Sequence, residues 1–507
     1  MKAMQIPGRA RWNVRLPLAL ACLAGLTSLS AQAQTPASTA PTPEADAASA
    51  LVQDLFPASA PQGTPTQTAQ ATPATPPAPS QPAAAAEEEI APPAEPSSTE
   101  QGQTPLDESF GPRSHDEWVR ETRRKAWEDT KWDLQLRTYY LDRNKYDDTE
   151  SEAWAIGGSL GFKTGYFREI FAIGATVYTS QELHGPEDKD GTLLLAPGQD
   201  PYTVLGELYG DIKFGDEIRL TVGAKGFDTP YINRNDSRMT PNTFLGAMLQ
   251  GQHGNVDEEG QWRWGAGYIH EIKERNSDKF VSMAEDAGAP EGIERGVFAG
   301  GANYKRGELS VGAVNYYSAD IINIFYTEAK YAFPLAEEIK LRFAGQFTDE
   351  QSLGRELLTG SDFHAHQWGL KSELAWGGAL YTVGYTSADG DDNMRNPWSG
   401  YPGYTSVQVE DFNRDGEDAW IFRAGYSPEW AKGFSAYVLH VMGDDPDSPT
   451  AFERDETDFN LQWSPSEGTL KGLMVRLRYA RVDQDNPADL SDLSDLRIMV
   501  YYDPPSL

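Results

Sequence analysis

The pattern that determines the architecture is plainest in Leu473-Met474-Val475-Arg476-Leu477-Arg478-Tyr479. Successive side chains of a β-strand point to opposite faces, so one face of this stretch is apolar and the other carries the arginines. Similar alternation recurs in 18 segments between residues 131 and 502. We therefore predict an all-β fold, a transmembrane antiparallel β-barrel of 18 strands with one face in lipid and the other in water. A barrel of this size leaves an aqueous lumen, whereas about 8 strands are filled by side chains.

The connections between the segments also favour a membrane barrel. Long external loops and short periplasmic turns alternate in outer-membrane barrels, and the sequence shows this alternation. The long links are 142–152, 179–203, 226–243, 273–295, 349–362, 387–418, 443–457 and 482–494, and the short links are 164–169, 215–216, 306–308, 377–378 and 465–471. Two links deviate, because 318–320 is short where a long loop is expected and 253–261 exceeds a typical turn. A soluble β-sandwich also alternates, but it does not sort its links in this way.

The N-terminal region reads as a targeting segment. Residues 1–33 predict a signal peptide, with a basic start, an apolar stretch over Leu16–Leu29 and a small-residue cleavage site that ends at Ala33. The only cysteine, Cys22, lies in this segment, where its surroundings fit a lipoprotein signal poorly. Outside residues 1–33, no run of 18 apolar residues predicts a membrane helix.

Residues 34–130 divide into two further parts. The Ala/Pro-rich segment 34–104 cannot bury a core, so we expect it to be disordered in the periplasm. Its one apolar patch, residues 51–56, is either a docking motif for a periplasmic partner or a chance cluster. Residues 105–130 predict a helical lead-in that begins at the capping box Ser114-x-x-Glu117. The barrel domain then covers 131–507.

The charge of the chain excludes one class of partner. The formal net charge is −33 at pH 7. Nucleic-acid binding needs basic surface patches, so no nucleic-acid partner is expected. The predicted surroundings are outer-membrane lipid and lipopolysaccharide.

Two long segments make the chain recognisable. Residues 226–244 read Gly-Phe-Asp-Thr-Pro-Tyr-Ile-Asn-Arg-Asn-Asp-Ser-Arg-Met-Thr-Pro-Asn-Thr-Phe, and residues 272–283 read Ile-Lys-Glu-Arg-Asn-Ser-Asp-Lys-Phe-Val-Ser-Met. Both resemble loop signatures of the OprD family of outer-membrane porins. A third match combines 381–385 with Asp389-Gly390-Asp391-Asp392 and Asp411-Phe412. The resemblance spans residues 131–502, whereas 34–104 and the lead-in helix are not typical of the family.

The resemblance implies a porin that admits small carboxylate-bearing solutes such as amino acids and organic or aromatic acids. In this family the third and seventh external loops constrict the lumen, and here these loops are 226–243 and 387–418. The constriction residues that this implies are Asp228, Tyr231, Asn233, Arg234, Asp236, Arg238, Asp389, Asp391 and Asp392. The family also carries a ladder of basic side chains along one wall of the lumen. The lumen-facing candidates here are Arg137, Lys163, Arg219, Lys225, Arg263, Arg342, Lys371, Arg423, Arg476, Arg478 and Arg497.

Several alternatives stay open from the sequence. Any one ladder residue could instead pair with a lumen acid such as Asp211 or Glu373. The acidic loops 387–418 and 443–457 could attract cationic groups of a solute, bind divalent cations beside lipopolysaccharide, or stay solvated. A docking barrel that uses 34–104 is a rival function, and a barrel enzyme is a weaker one. His364 and His366 with Asp362 could hold a metal, but two ligands at a strand start are weak support. We therefore expect no cofactor, no metal and no catalytic site, in a monomer or loose trimer.

Overall fold

The computed structural model describes residues 115–444, 446–447, 452–485 and 492–504. The predicted signal peptide, the segment 34–104 and the capping residue Ser114 lie outside the described residues. In the part of the chain that is described, no helix is long and apolar enough to cross a membrane.

Eighteen strands form one antiparallel sheet that closes on itself. The strands are β1 Lys131–Asn144, β2 Glu150–Lys163, β3 Phe171–His184, β4 Tyr202–Phe214, β5 Ile218–Lys225, β6 Thr243–Asn255, β7 Gly260–Lys273, β8 Val297–Arg306, β9 Leu309–Ser318, β10 Ile322–Ala336, β11 Ile339–Ser352, β12 His364–Trp376, β13 Ala379–Gly390, β14 Asp418–Tyr426, β15 Phe434–Asp444, β16 Arg454–Trp463, β17 Leu473–Gln484 and β18 Leu493–Tyr502. Each strand pairs with its neighbours in chain order, and β1 closes on β18 with Arg137 opposite Tyr501. The predicted 18-stranded barrel is confirmed.

Alternation along the strands sets the two surfaces of the wall. In β17, Leu477 points outward and is 43% exposed, whereas Arg476 points inward and is 5% exposed. Exposed aromatic side chains gather at both ends of the outward surface, where their rings suit the membrane–water interfaces. The periplasmic belt contains Trp132, Phe171, Phe214, Trp262, Tyr331, Trp376, Tyr426 and Phe434, and the outer belt contains Trp154, Tyr268, Phe298, Tyr317, Phe325, Trp368, Trp420 and Tyr479.

The links follow the predicted alternation with two corrections. External loops 1 to 9 cover residues 145–149, 185–201, 226–242, 274–296, 319–321, 353–363, 391–417, 445–453 and 485–492. Loop 1, predicted as the long link 142–152, is short because β1 and β2 stay paired up to Asn144 and Glu150. The link predicted as 253–261 is a turn of 256–259, because β6 and β7 remain paired to Asn255 and Gly260. Loop 5 is short, as the sequence indicates.

The core lies inside the barrel and is built largely by loops. The largest buried cluster joins Tyr231 and Ile232 of loop 3, Met283 of loop 4, and Trp398 and Tyr401 of loop 7 with inward side chains of the wall. Loop 2 buries Leu194 and Leu195 in a second cluster against β1 and β2. Four external loops therefore fold inward and occupy much of the lumen near the external strand ends.

Short helices and a short strand complete the described structure. Helix α1, His115–Glu128, precedes β1 and lies within 105–130, the segment for which the sequence predicts a helical lead-in; residues 105–114 of that segment lie outside the described residues. Helix α2, Met283–Asp286, lies in loop 4 and follows a two-residue strand, Val281–Ser282, that pairs with β7. Ser282 caps α2 by accepting a hydrogen bond from the Glu285 N–H. A 3₁₀ turn, Glu187–Lys189, lies in loop 2.

Candidate functional site

All eleven basic residues predicted for the ladder occupy inward positions of the wall. Alternate residues of each strand point inward, and the cross-strand register carries this alternation from one strand to the next. By this register Arg137, Lys163 and Arg219 are inward residues, and so are the other eight. They lie in the periplasmic and middle parts of the strands, below the inward-folded loops. They do not share one environment, and the structure separates them into groups with different partners.

The densest group lies on β17, β18 and β1. Arg478 and Arg497 are directly opposite each other across two paired strands, and Arg476 and Arg137 flank them. Like charges in directly opposed positions repel, so this arrangement costs free energy unless anions lie nearby. We call the inward surface of β16, β17, β18 and β1 the arginine wall.

The arginine wall also carries carboxylates, among them Glu456 and Asp458 on β16 and Asp495 on β18, and Asp458 and Asp495 lie near Arg478. Asp495 accepts hydrogen bonds from Arg497 Nε (2.6 Å) and from Arg143 Nε (2.7 Å). Arg476 Nε donates to the Asn460 amide oxygen (2.5 Å), a neutral partner. The guanidinium of Arg137 lies 4.7 Å from the centre of the Tyr501 ring. The arginines of this wall therefore have carboxylate, amide and aromatic neighbours.

A second group lies on β10, β11 and β12, and there each cation faces a carboxylate. Arg342 is opposite Glu373 in register and donates to it at 3.1 Å. Lys371 lies 3.8 Å from the same glutamate. Lys330, an inward residue that the sequence reasoning missed, lies 3.1 Å from Glu328. We call this surface the paired wall, because its positive charges are largely compensated.

The remaining ladder residues are distributed elsewhere on the wall. Lys163 and Lys225 approach the buried carboxylate of Asp211 at 2.5 and 3.9 Å. Arg219, also on β5, lies one inward position beyond Thr221, the residue opposite Asp211. Arg263 donates to Gln261 at 3.0 Å. Arg423 lies 3.8 Å from the Tyr437 ring centre.

Loop 3 enters the lumen and touches the arginine wall. Asp236 accepts two hydrogen bonds from Arg137, at 2.5 and 2.6 Å. Arg234 and Asp228 pair with each other within the loop. Arg238 is buried and donates to the Thr192 carbonyl of loop 2 at 2.8 Å. Burial, together with the nearby charges of Arg497 and Arg275, lowers the pKa of Arg238 well below its usual value.

Loop 7 contributes a different part to the lumen from the one predicted. Its middle, from Trp398 to Phe412, is buried against the wall and against loop 3. Asp389, in contrast, is an exposed residue near the external end of β13, and Asp391 and Asp392 follow at the outer base of the loop. β13 extends to Gly390, so Asp389 takes an outward position of the wall, and Asp391 and Asp392 lie where loop 7 leaves the strand.

Direct contacts join loops 3 and 7. The Asn233 N–H donates to Ser399 Oγ at 2.9 Å, and the Asn233 amide donates to the Gly400 carbonyl at 3.1 Å. Tyr231 is fully buried and meets Tyr401 edge-on, with ring centres 6.1 Å apart. The Trp398 indole N–H donates to the Met283 carbonyl of loop 4 at 2.8 Å. These contacts make the loops one packed unit, which meets β9 and β10 through the rings of Tyr316 and Tyr326 and meets the arginine wall through Asp236.

The sequence of the barrel matches a known protein family. The model described as outer membrane porin, OprD family, matches residues 125–505. The chain belongs to the OprD family of outer-membrane porins. It is therefore a passive channel protein of the outer membrane, and both its family and its fold are those of channels. A search of curated proteins finds no match.

Solved porins share the fold at low sequence identity. OccK9 (OpdG) of Pseudomonas aeruginosa aligns with a TM-score of 0.66 and 22% identity, over 75% of this chain and 99% of that chain. OpdK of P. aeruginosa with vanillate gives 0.65 and 20%, over 74% and 99%. A BenF-like porin from Pseudomonas fluorescens Pf-5 gives 0.65 and 19%, over 75% and 100%. These likenesses establish the barrel for this porin.

The histidines considered for a metal lie on the outside of this OprD-family barrel. His364 and His366 occupy outward positions of β12, and His364 Nε2 lies 2.8 Å from an oxygen of Asp349. Asp362 instead accepts a hydrogen bond from Ser352 Oγ at 2.5 Å. Within the described ranges, no group of three or more His, Cys, Asp or Glu side chains is arranged to hold a metal ion.

Sequence reasoning missed the inward folding of loops 2 and 4 in this porin. A signal was present in both, since the run Leu193-Leu194-Leu195 and the apolar residues Phe280, Val281 and Met283 stand within otherwise polar links. Lys330 was missed because the alternation of β10 was judged weak. Its inward face, Tyr326-x-Glu328-x-Lys330, could have identified it.

Proposed function

We propose that this porin gives selective, passive passage to small carboxylate-bearing solutes, and that the arginine wall is their path. The observation that carries the proposal is the opposition of Arg478 and Arg497 across β17 and β18. Two like charges held side by side favour a bound anion that relieves their repulsion. Loops 3 and 7 narrow the lumen beside this wall, which would bring a passing solute close to the guanidinium groups.

Arginine suits this role for chemical reasons. The guanidinium stays charged over the physiological pH range, and its planar fork matches a carboxylate with two parallel hydrogen bonds. Several weak sites in sequence allow a solute to step forward without being trapped. Arg476, Arg478, Arg497 and Arg137 would form such a series at neighbouring positions of the wall.

Aromatic surfaces beside the arginines favour solutes with a ring. Tyr501 lies under Arg137 and Tyr437 under Arg423, so each guanidinium has a ring face nearby. A ring bearing a carboxylate could contact both groups at once. The similar OpdK structure contains vanillate, an aromatic carboxylate. We therefore place aromatic acids first among the candidate solutes, ahead of amino acids and aliphatic acids.

Single-channel recording of the purified porin in planar bilayers tests the proposal. The reversal potential in a KCl gradient reports the anion preference, and added benzoate, vanillate or lysine reports block by each type of solute. The test variant is Arg478→Ala. Its matched control is Arg481→Ala on the same strand, because Arg481 points outward and pairs with Asp483 and Asp492.

The expected result is block by aromatic carboxylates that weakens by about 10- to 150-fold in Arg478→Ala, since a lost charge-assisted hydrogen bond is worth about 1.5–3 kcal/mol. The control should behave as the unaltered protein. Equal block in Arg478→Ala and the unaltered protein would remove the arginine wall from the path. Block by lysine but by neither benzoate nor vanillate would remove aromatic acids from the candidate solutes and show that the solute needs a cationic group.

A further inference from the structure

Helix α1 is fixed to the periplasmic end of the barrel. The Gly165 N–H, in the turn between β2 and β3, donates to the Ala126 carbonyl of the helix at 2.9 Å. A Cβ atom on Gly165 would lie 2.6 Å from Asp129 Cβ, so the close approach of helix and turn depends on this glycine. Thr130 Oγ1 donates to the same carbonyl at 3.0 Å. The helix is therefore attached to the rim where β1 begins.

The outer surface of α1 combines an aromatic residue with basic ones. Ala126 is buried toward the barrel, whereas Trp127 is 66% exposed. Arg123 and Arg124 are exposed within one helical turn of Trp127. Arg124 pairs with Glu128 at 3.6 Å, but both side chains are well exposed, and such surface pairs contribute little. An exposed indole beside exposed guanidinium groups is typical of a surface that meets lipid headgroups.

This surface continues the periplasmic belt. Trp132, five positions after Trp127 in the chain, is exposed, and its ring lies 5.4 Å from that of Phe162. Ile170 and Phe171, in and after the turn that holds the helix, are also exposed. The exposed apolar residues of helix, strand and turn thus gather at one part of the rim, next to the surface that meets the membrane.

We propose that α1 is a membrane-contact helix that lies on the headgroups of the periplasmic leaflet. Trp127 enters the interface beside the belt, and Arg123 and Arg124 bind lipid phosphate groups, which guanidinium recognises with two hydrogen bonds. The occupant is phospholipid, because the surface is continuous with the lipid-facing belt. The contact is independent of the path through the lumen.

Spin labelling tests the position of the helix in the intact barrel. Single cysteines replace Trp127 or Lys125 in a Cys22→Ser background, and the labelled proteins are reconstituted in vesicles of phosphatidylethanolamine and phosphatidylglycerol. Residues 125 and 127 point to nearly opposite sides of a helix with 3.6 residues per turn, so Lys125→Cys is the matched control. Relaxation by oxygen reports lipid, and relaxation by a water-soluble nickel chelate reports solvent.

The expected oxygen-to-nickel ratio is several-fold higher at position 127 than at position 125. Replacing Arg123 and Arg124 by Gln should lower the ratio at 127 in these vesicles, and should lower it less in phosphatidylcholine, whose phosphate is balanced by a quaternary ammonium. Equal access of the nickel chelate to both labels, in variants with unaltered channel conductance, would overturn the proposal. Immobilisation of the 127 label only after addition of peptidoglycan fragments would also overturn it and assign the surface to the cell wall.

Discussion

The arginine wall and the paired wall carry similar side chains and differ in how their charges are compensated. Arg342 faces Glu373 across two strands of the paired wall, whereas Arg478 faces Arg497 across two strands of the arginine wall. In the first case the protein supplies the counter-charge for each cation. In the second the directly opposed residue is another cation, and we propose that a solute carboxylate adds to the counter-charge that Asp458 and Asp495 supply. A basic residue on the inner surface is therefore informative about transport only together with its cross-strand neighbour.

The largest expected effect comes from removing the carboxylates that compensate the cations of the paired wall. Glu328→Gln with Glu373→Gln would leave Lys330, Arg342 and Lys371 without their carboxylates and make both walls positive. A unit charge about 8 Å from the path is worth about 2 kcal/mol at an effective dielectric constant of about 20. We expect the anion-to-cation permeability ratio to rise by about tenfold in bilayer recordings. Glu308→Gln, at an exposed periplasmic turn, serves as the control, and an unchanged ratio in the double variant would remove the distinction between the walls.

The next effect concerns the contact between loop 3 and the arginine wall. Arg137→Met removes both hydrogen bonds to Asp236 and leaves that carboxylate without its partner. The carboxylate is 40% exposed, so we expect a loss of about 2 kcal/mol in the local stability of loop 3, below the value for a fully buried pair. Hydrogen exchange of residues 228–240 measures it. Asp236→Asn retains one hydrogen-bond acceptor, so loop 3 should lose less local stability in this variant than in Arg137→Met. A larger loss in Asp236→Asn would contradict the assigned contact between Arg137 and Asp236.

A smaller effect is expected where loop 7 is attached to each wall separately. Tyr404 O–H donates to Glu328 of the paired wall at 2.7 Å, and the Gln408 amide donates to Asp495 of the arginine wall at 2.8 Å. Tyr404→Phe and Gln408→Leu each remove one such bond to a charged group, worth about 1.5 kcal/mol. Hydrogen exchange of 398–412 should rise in both variants. A rise in only one of them would show that a single wall holds the loop.

The smallest effect is a pH dependence within loop 7. Burial raises the pKa of the Asp411 carboxyl to about 6. In an opened loop this carboxyl would titrate near its ordinary value of about 3.9, so the packed loop binds the proton more tightly. Its packing is therefore favoured at low pH and weakens as the pH rises from about 4 to about 6. Asp411→Asn should abolish this slope in exchange rates corrected for intrinsic chemistry, and persistence of the slope would assign it to another group.

The barrel could be predicted from sequence because alternation is local. A strand with one face in lipid and one in water records its position residue by residue, as Leu473–Tyr479 does. The inward direction of the ladder side chains follows from the same parity. The hydrogen-bond partners of the inward side chains do not follow from this alternation, because Asp236 is 99 positions from Arg137 and Tyr404 is 76 positions from Glu328. Such contacts depend on how the loops return into the lumen.

Loop 7 shows where local reasoning fails. Its acids Asp389, Asp391 and Asp392 are the most conspicuous charges in the link, yet they remain at the rim. The part that enters the lumen is richer in aromatic residues, with Trp398, Tyr401 and Tyr404. Burial favours large apolar surfaces and penalises unpaired charge, so the aromatic part of a long loop was the better candidate for the interior.

The two aromatic belts have a consequence for the bilayer in which the barrel resides. On β12, Trp368 and Trp376 stand eight positions apart, about 26 Å along the strand at 3.3 Å per residue. A tilt of about 40° reduces this to a vertical span of about 20 Å. The protein is therefore matched to a thin hydrocarbon layer, such as that of a bacterial outer membrane, and would be mismatched in a thicker one. Acyl-chain length is thus a variable that could change the stability of the barrel without altering a single residue.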